Sequence, residues 1–198
     1  MRALLVTAVL AVPALAHADG NVELAGGISI PAGDNNWNNI AGTSPKLGLR
    51  LGDMVGDFGG MLQADWTPVN LNNSGGSFGF GSTNASAHVF RVLADFAFQH
   101  HLIGHLVVSG RAGIGIDVAH ASGSVTVLGA TGSRSDTDVG LAVEFGGGVW
   151  YDFGTTQVGA EIAVPIGNHS TASQNGSIPF QYAMENVDLL AGVRFRGF

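Results

Sequence analysis

The sequence contains no cysteine, so a chain exported to an oxidising compartment must hold together without disulfides. Charge is scarce as well. Asp, Glu, Lys and Arg make up 12% of the 198 residues, about half the ~25% usual in soluble domains. Eight Lys and Arg stand against 15 Asp and Glu, a net charge of −7. That balance excludes a nucleic-acid partner, which would require a basic patch. No stretch approaches the roughly 18 uninterrupted apolar residues of a spanning helix. What the chain has in excess is glycine, 31 of 198 residues, roughly twice the usual ~7%.

The opening MRALLVTAVLAVPALAHADG sets Arg2 before an apolar run and ends it with the small residues Ala16 and Ala18. This pattern predicts a secretory signal peptide over residues 1–18, cleaved before Asp19. Residues 19–198 then form one domain.

Beyond residue 18 the dominant signal is strict alternation. In FRVLADFAF (90–98), Phe90, Val92, Ala94, Phe96 and Phe98 share one parity, and Arg91, Leu93, Asp95 and Ala97 the other. A strand sends these two sets to opposite faces. Similar segments recur at 22–30, 46–52, 57–66, 105–118, 138–153, 156–164 and 186–196, which predicts eight strands. Their connections alternate in kind. Tight turns are expected near 53–56, 99–103 and 153–155. Long polar connections rich in Asn, Ser, Gly and Thr fall at 31–45, 67–84, 119–137 and 165–185. Pro31, Pro45, Pro68, Pro165 and Pro179 all lie in or beside the long connections, as expected of a residue that cannot donate to a ladder.

A soluble barrel would alternate too, so the content of the polar face decides which side meets water. A water-facing strand surface is crowded with Lys, Glu, Thr and Gln. Here it holds mostly Gly, Ala and Ser with a few charges of both signs. The acids are Glu23, Asp65, Asp95, Asp117, Glu144, Glu161 and Asp188, and the bases Lys46, Arg50, Arg91, Arg111, Arg194 and Arg196. Near-balanced ions among small residues suit the interior of a closed eight-stranded barrel, which side chains just fill and where ions must pair. The apolar faces then meet lipid. Phe58, Phe96, Phe98, Tyr151, Phe153, Phe195 and Phe198 gather at the ends nearest the tight turns or the C-terminus, as an interfacial girdle does. Trp66 and Tyr182 mark the other rim. The expected fold is an all-β, closed, antiparallel up-and-down transmembrane barrel with a polar lumen and apolar exterior.

Signal peptide, eight amphipathic strands, three short turns, four long loops and a terminal Phe together resemble the small outer-membrane β-barrels of Gram-negative bacteria, of the OmpX/OmpA-barrel and OmpW type. The resemblance implies the outer membrane as location, with outer-membrane lipid, lipopolysaccharide and the outer-membrane assembly machinery as partners. It also implies periplasmic termini and four external loops. Two departures stand out. Phe198 is out of phase with Val193 and Phe195, where the family keeps its terminal aromatic in phase. Nothing in the sequence answers to the peptidoglycan-binding domain of the OmpA kind.

Chemistry-bearing motifs are few. His100, His101 and His105 crowd a turn, but without Cys and with few acids nearby they read as a solvated turn rather than a metal site. His120-Ala121-Ser122 resembles the His-x-Ser spacing of outer-membrane lipid A deacylases but lacks the following Asn, Gly123 standing there instead. No enzyme activity, cofactor or metal is expected. The expected role is structural or a surface interaction through the loops, the alternative being a narrow channel for small, perhaps hydrophobic, solutes. A first turn centred near residue 55 would set Lys46 opposite Asp65. Closure of the last strand on the first would bring Glu23 to Arg194 or Arg196. A second turn near 101 would set Arg91 against Arg111.

Overall fold

The computed structural model describes residues 20–33, 38–39, 41–71, 75–78, 81–127, 130–171 and 180–197. The expected signal peptide, Pro179, Phe198 and the side chain of Tyr182 lie outside the described residues. Eight long strands run β1 Gly20–Pro31, β2 Ser44–Val55, β3 Phe58–Leu71, β4 Gly81–His101, β5 Leu106–Val127, β6 Ala130–Asp152, β7 Thr156–Thr171 and β8 Phe180–Arg196. Each pairs antiparallel with its sequence neighbours. β1 pairs with β8 over Asn21↔Arg196 to Pro31↔Asn186, which closes the sheet. Closure removes the two free edges that an open sheet would present to lipid.

Alternation sorts the side chains as a membrane requires. In β4, Phe90, Val92 and Phe96 are half exposed, whereas Arg91, Leu93, Asp95 and Ala97 are 5% exposed or less. The same division runs round the barrel. Leu24, Leu49, Leu62, Ile114, Ile116, Leu141, Phe145, Ile162 and Leu189 face outward. Buried charges and amides face inward. Apolar outside and ionic inside is the reverse of a soluble barrel, so the hydrocarbon phase is the solvent of the outer face.

Each tight connection carries one glycine in the left-handed region: Gly56 at φ 63°, Gly104 at 64° and Gly154 at 97°. A Cβ is costly there, and these glycines set where the hairpins fold. The first two turns therefore sit later than the sequence suggested, whereas the third falls at 153–155 as expected. Val55 pairs with Phe58, so Asp65 faces Gly48 and not Lys46. In the second hairpin Arg91 faces Asp117 and Arg111 faces Ala97, so the expected Arg91–Arg111 opposition is absent.

The strands also outrun their expected ends. β4, β5 and β6 span 21, 22 and 23 residues, about twice the ~9–11 a tilted spanning strand needs. Much of the stretches taken for long loops, 81–84, 119–127 and 130–137, continues the ladder instead. Short segments Ala41–Gly42 and Gly75–Phe78 add to β3 and β4. Pro45, Pro68 and Pro165 consequently lie inside strands, in their loop-end halves.

Candidate functional site

The lumen is filled by side chains from all eight strands, in three tiers. At the loop end, Lys46 Nζ lies 2.8 Å from Asp65, 2.6 Å from Asp188 and 3.3 Å from Glu144. Lys46 thus reaches Asp65 on the diagonal, although the two are not cross-strand partners. Arg91 grips Asp117 with Nε and Nη2 at 2.5 and 2.8 Å, and its Nη1 reaches Glu144 at 3.3 Å.

The middle tier turns on two arginines. Arg50 donates to both oxygens of Glu161 at 2.9 and 3.0 Å and to Glu23. Arg111 donates to Glu161 at 2.6 and 2.9 Å, to Gln63 at 2.6 Å and to Glu144, with Asp95 at 3.6 Å. Gln63 links the tiers, accepting from Arg50 at 3.0 Å and donating to Asp65 and Glu144 at 2.5 and 2.9 Å. Glu144, fully buried, is the hub: Lys46, Arg91, Arg111 and Gln63 reach it from β2, β4, β5 and β3.

At the turn end, Arg194 donates to Glu23 at 2.7 and 3.0 Å, to Gln99 at 2.8 Å and to Gln157 at 3.0 Å. Its guanidinium stacks 4.3 Å over Trp150, whose Nε1 donates to Ser109 at 2.8 Å. Arg196 sits at the rim and pairs with Asp152 at 2.5 Å.

Small residues make this crowding possible. A Cβ on Gly113 would stand 1.7 Å from Asp95 Oδ1, and one on Gly48 would stand 2.6 Å from Asp65 Oδ1. Trp150 lies against Gly159 and Gly192, where a Cβ would come within 2.6 and 3.1 Å of its ring. Gln63, Gln99, Gln157, Trp150 and Asp152 also belong to this interior, although the set of charges read from the sequence does not include them. Their parity was the available signal: Trp150 shares that of Glu144, and Gln63 that of Asp65.

Aromatic side chains cluster at the turn end. Phe58 packs on Phe96 and Phe98 with ring centres 5.8 and 5.4 Å apart. Tyr151 packs on Phe153 at 4.8 Å, and Phe195 pairs with Val22 on β1. Trp66 stacks on His88 at 6.0 Å towards the loop end. The turn histidines engage acids one at a time, His100 with Asp57 at 2.8 Å and His101 with Asp152 at 3.8 Å. His120 Nδ1 is hydrogen-bonded to Thr137 at 2.8 Å, and Ser122 to Ser86 at 2.9 Å, so these bonds tie the two residues to neighbours rather than to each other.

No family model matches the chain, and no curated protein matches it in sequence. Solved structures do match in shape. A major outer membrane protein from Thermus thermophilus aligns at TM-score 0.56 and 11% identity over 91% of this chain and 99% of its own. Neisserial surface protein A (NspA) gives 0.51 and 14% over 89% and 96%. Ail, the attachment invasion locus protein of Yersinia pestis, gives 0.50 and 13% over 90% and 98%. At such identities the likeness is one of fold. Together with the closed sheet and the inverted faces, it makes this chain a transmembrane β-barrel with the fold of the small eight-stranded outer-membrane proteins.

Proposed function

We propose that the chain is a non-enzymatic, non-conducting barrel of the outer membrane that works through its external end, as a structural and surface-interaction protein. The observation that carries this reading is the obstructed lumen. Among the described residues, two pockets inside the barrel hold about 20 Å³ at the loop end and about 10 Å³ at the turn end, room for about one water each. Between them lie the buried Arg50, Gln63, Arg111, Glu144 and Glu161, locked by charge-assisted bonds. A pore for solutes would have to break several of these at once.

The opposite end supports the same reading, since β4, β5 and β6 carry a three-stranded sheet well past the lipid belt. Surfaces raised on a rigid scaffold are where partner binding concentrates. The names of Ail and NspA speak of attachment and of the cell surface, roles that belong to such a surface.

Planar-bilayer recording tests the reading. The refolded barrel should leave the membrane at its baseline conductance. Stable, protein-dependent conductance steps, abolished by boiling the sample, would favour the channel alternative. Lipid A incubated with the barrel should keep its mass, which removes the deacylase alternative.

A further inference from the structure

Asn21 and Arg196 are cross-strand partners on the seam where β1 meets β8. Both side chains border an open cup of about 380 Å³ at the turn-end mouth of the lumen. Each leaves one buried polar atom without a hydrogen-bond partner among the described residues: the acceptor Asn21 Oδ1 and the donor Arg196 Nε. Asn21 is only 4% exposed, so bulk water does not satisfy it. The far side of the Arg196 guanidinium is already fixed. Its Nη2 donates to Asp152 at 2.5 Å and to the Gly154 carbonyl at 2.6 Å. Asp57, which pairs with His100 at 2.8 Å, adds a carboxylate to the rim of the cup. A buried donor and a buried acceptor left unmade on neighbouring residues are costly. A group that satisfies both must accept from one and donate to the other.

We propose that the occupant of this cup is the chain's own processed N-terminus, Asp19, with its carboxylate on Arg196 Nε and its α-ammonium on Asn21 Oδ1 and Asp57. The inference goes beyond the surface role above and rests on cleavage before Asp19, as the sequence predicts. Position selects the occupant. β1 begins at Gly20, whose carbonyl accepts from the Gly197 N–H at 3.1 Å, so the chain enters the barrel beside the cup. Asp19 is the preceding residue and shares the parity of the inward-facing Asn21 and Glu23. That makes it a diagonal neighbour of Arg196, and such neighbours stand roughly 7–8 Å apart, within reach of a long side chain. Chemistry selects the cleaved form. In the uncut chain the nitrogen of residue 19 is a neutral amide with one N–H. Hydrolysis of the Ala18–Asp19 bond adds water across it, leaving a carboxylate on Ala18 and an ammonium with three donors on Asp19. Signal removal thus supplies the group that completes the β1–β8 seam.

The composition permits a clean test. Lys46 is the chain's only lysine, and it is buried and ion-paired in the lumen, so an amine-acylating reagent reads the α-amine almost alone. The exported chain is purified from membranes and its N-terminus is fixed by mass. Acylation of the N-terminal peptide is then followed by mass spectrometry, with the barrel folded or unfolded in urea. The folded chain should react several-fold more slowly than the unfolded one. That protection should vanish in Asp19→Ala, and also when two residues are added ahead of Asp19. Each variant is first checked for the cold SDS gel shift of a folded barrel. The Arg196 Nε signal in nitrogen NMR should also move between the mature chain and Asp19→Ala.

Equal rates in the folded and unfolded chain would mean that water fills the cup, and the assignment fails. Protection that persists in Asp19→Ala would mean that the amine is merely crowded, which also overturns it. An exported chain cut at another bond would instead refute the premise of cleavage before Asp19. If Asp19→Ala does not fold, Asp19→Asn, which keeps the size and loses the charge, is read in the same way.

Discussion

Glu144→Gln isolates what charge contributes to the filled lumen. The substitution is nearly isosteric, so packing against Gln63 survives and only the anion is lost. Lys46, Arg91 and Arg111 all lose a carboxylate, yet none is stranded. Lys46 keeps Asp65 and Asp188, Arg91 keeps Asp117, and Arg111 keeps Glu161. Removing one partner of a buried ion pair costs about 3–5 kcal/mol, and the remaining acids place this case at the lower end, about 3 kcal/mol. With a urea slope of roughly 2 kcal/mol/M, the unfolding midpoint should fall by about 1.5 M. The assay is equilibrium urea unfolding of the barrel in lipid vesicles, followed by the gel mobility of unboiled samples. A shift under about 0.5 M is the size expected of solvent-exposed pairs. It would mean that the lumen is wet enough to screen its charges, and the case against conduction would fall with it.

Two further substitutions probe how the interior is packed. Gly113→Ala should cost about 1–3 kcal/mol, because its Cβ meets the Asp95 carboxylate, and the cost should largely vanish in an Asp95→Ala background. Equal costs in both backgrounds would refute that contact. Trp150→Ala should cost about 3–5 kcal/mol as a large buried aromatic. Trp150→Phe, which gives up mainly the bond to Ser109, should cost about 1 kcal/mol. Both are read as urea midpoints, and equal losses would show that the ring does not fill the turn-end lumen.

Much of the fold was legible because a closed sheet writes its two faces into the chain with period two. Arg91, Leu93, Asp95 and Ala97 announce the interior, and Phe90, Val92 and Phe96 the lipid, without any three-dimensional information. Register was harder to read. It depends on which residue of a turn takes the left-handed conformation. Moving the second turn from near 101 to Gly104 exchanges Arg111 for Asp117 as the partner of Arg91.

Strand length was obscured by composition. The Ser, Gly and Thr of 119–137 have the look of a loop, yet pairing with neighbouring strands carries the ladder through them. The hub at Glu144 was beyond reach for another reason. Its partners Lys46 and Gln63 lie 98 and 81 residues away and meet it only across the closed lumen.

A nitroxide scan of residues 90–98 in lipid bilayers asks which face of the barrel meets hydrocarbon. Labels at 90, 92, 94, 96 and 98 should collide with dissolved oxygen and not with an aqueous nickel complex, while labels at 91, 93, 95 and 97 should be shielded from both. The reverse pattern, with the odd positions oxygen-accessible or the even positions open to nickel, would mean that the apolar face lies inside and that the chain is not a membrane barrel.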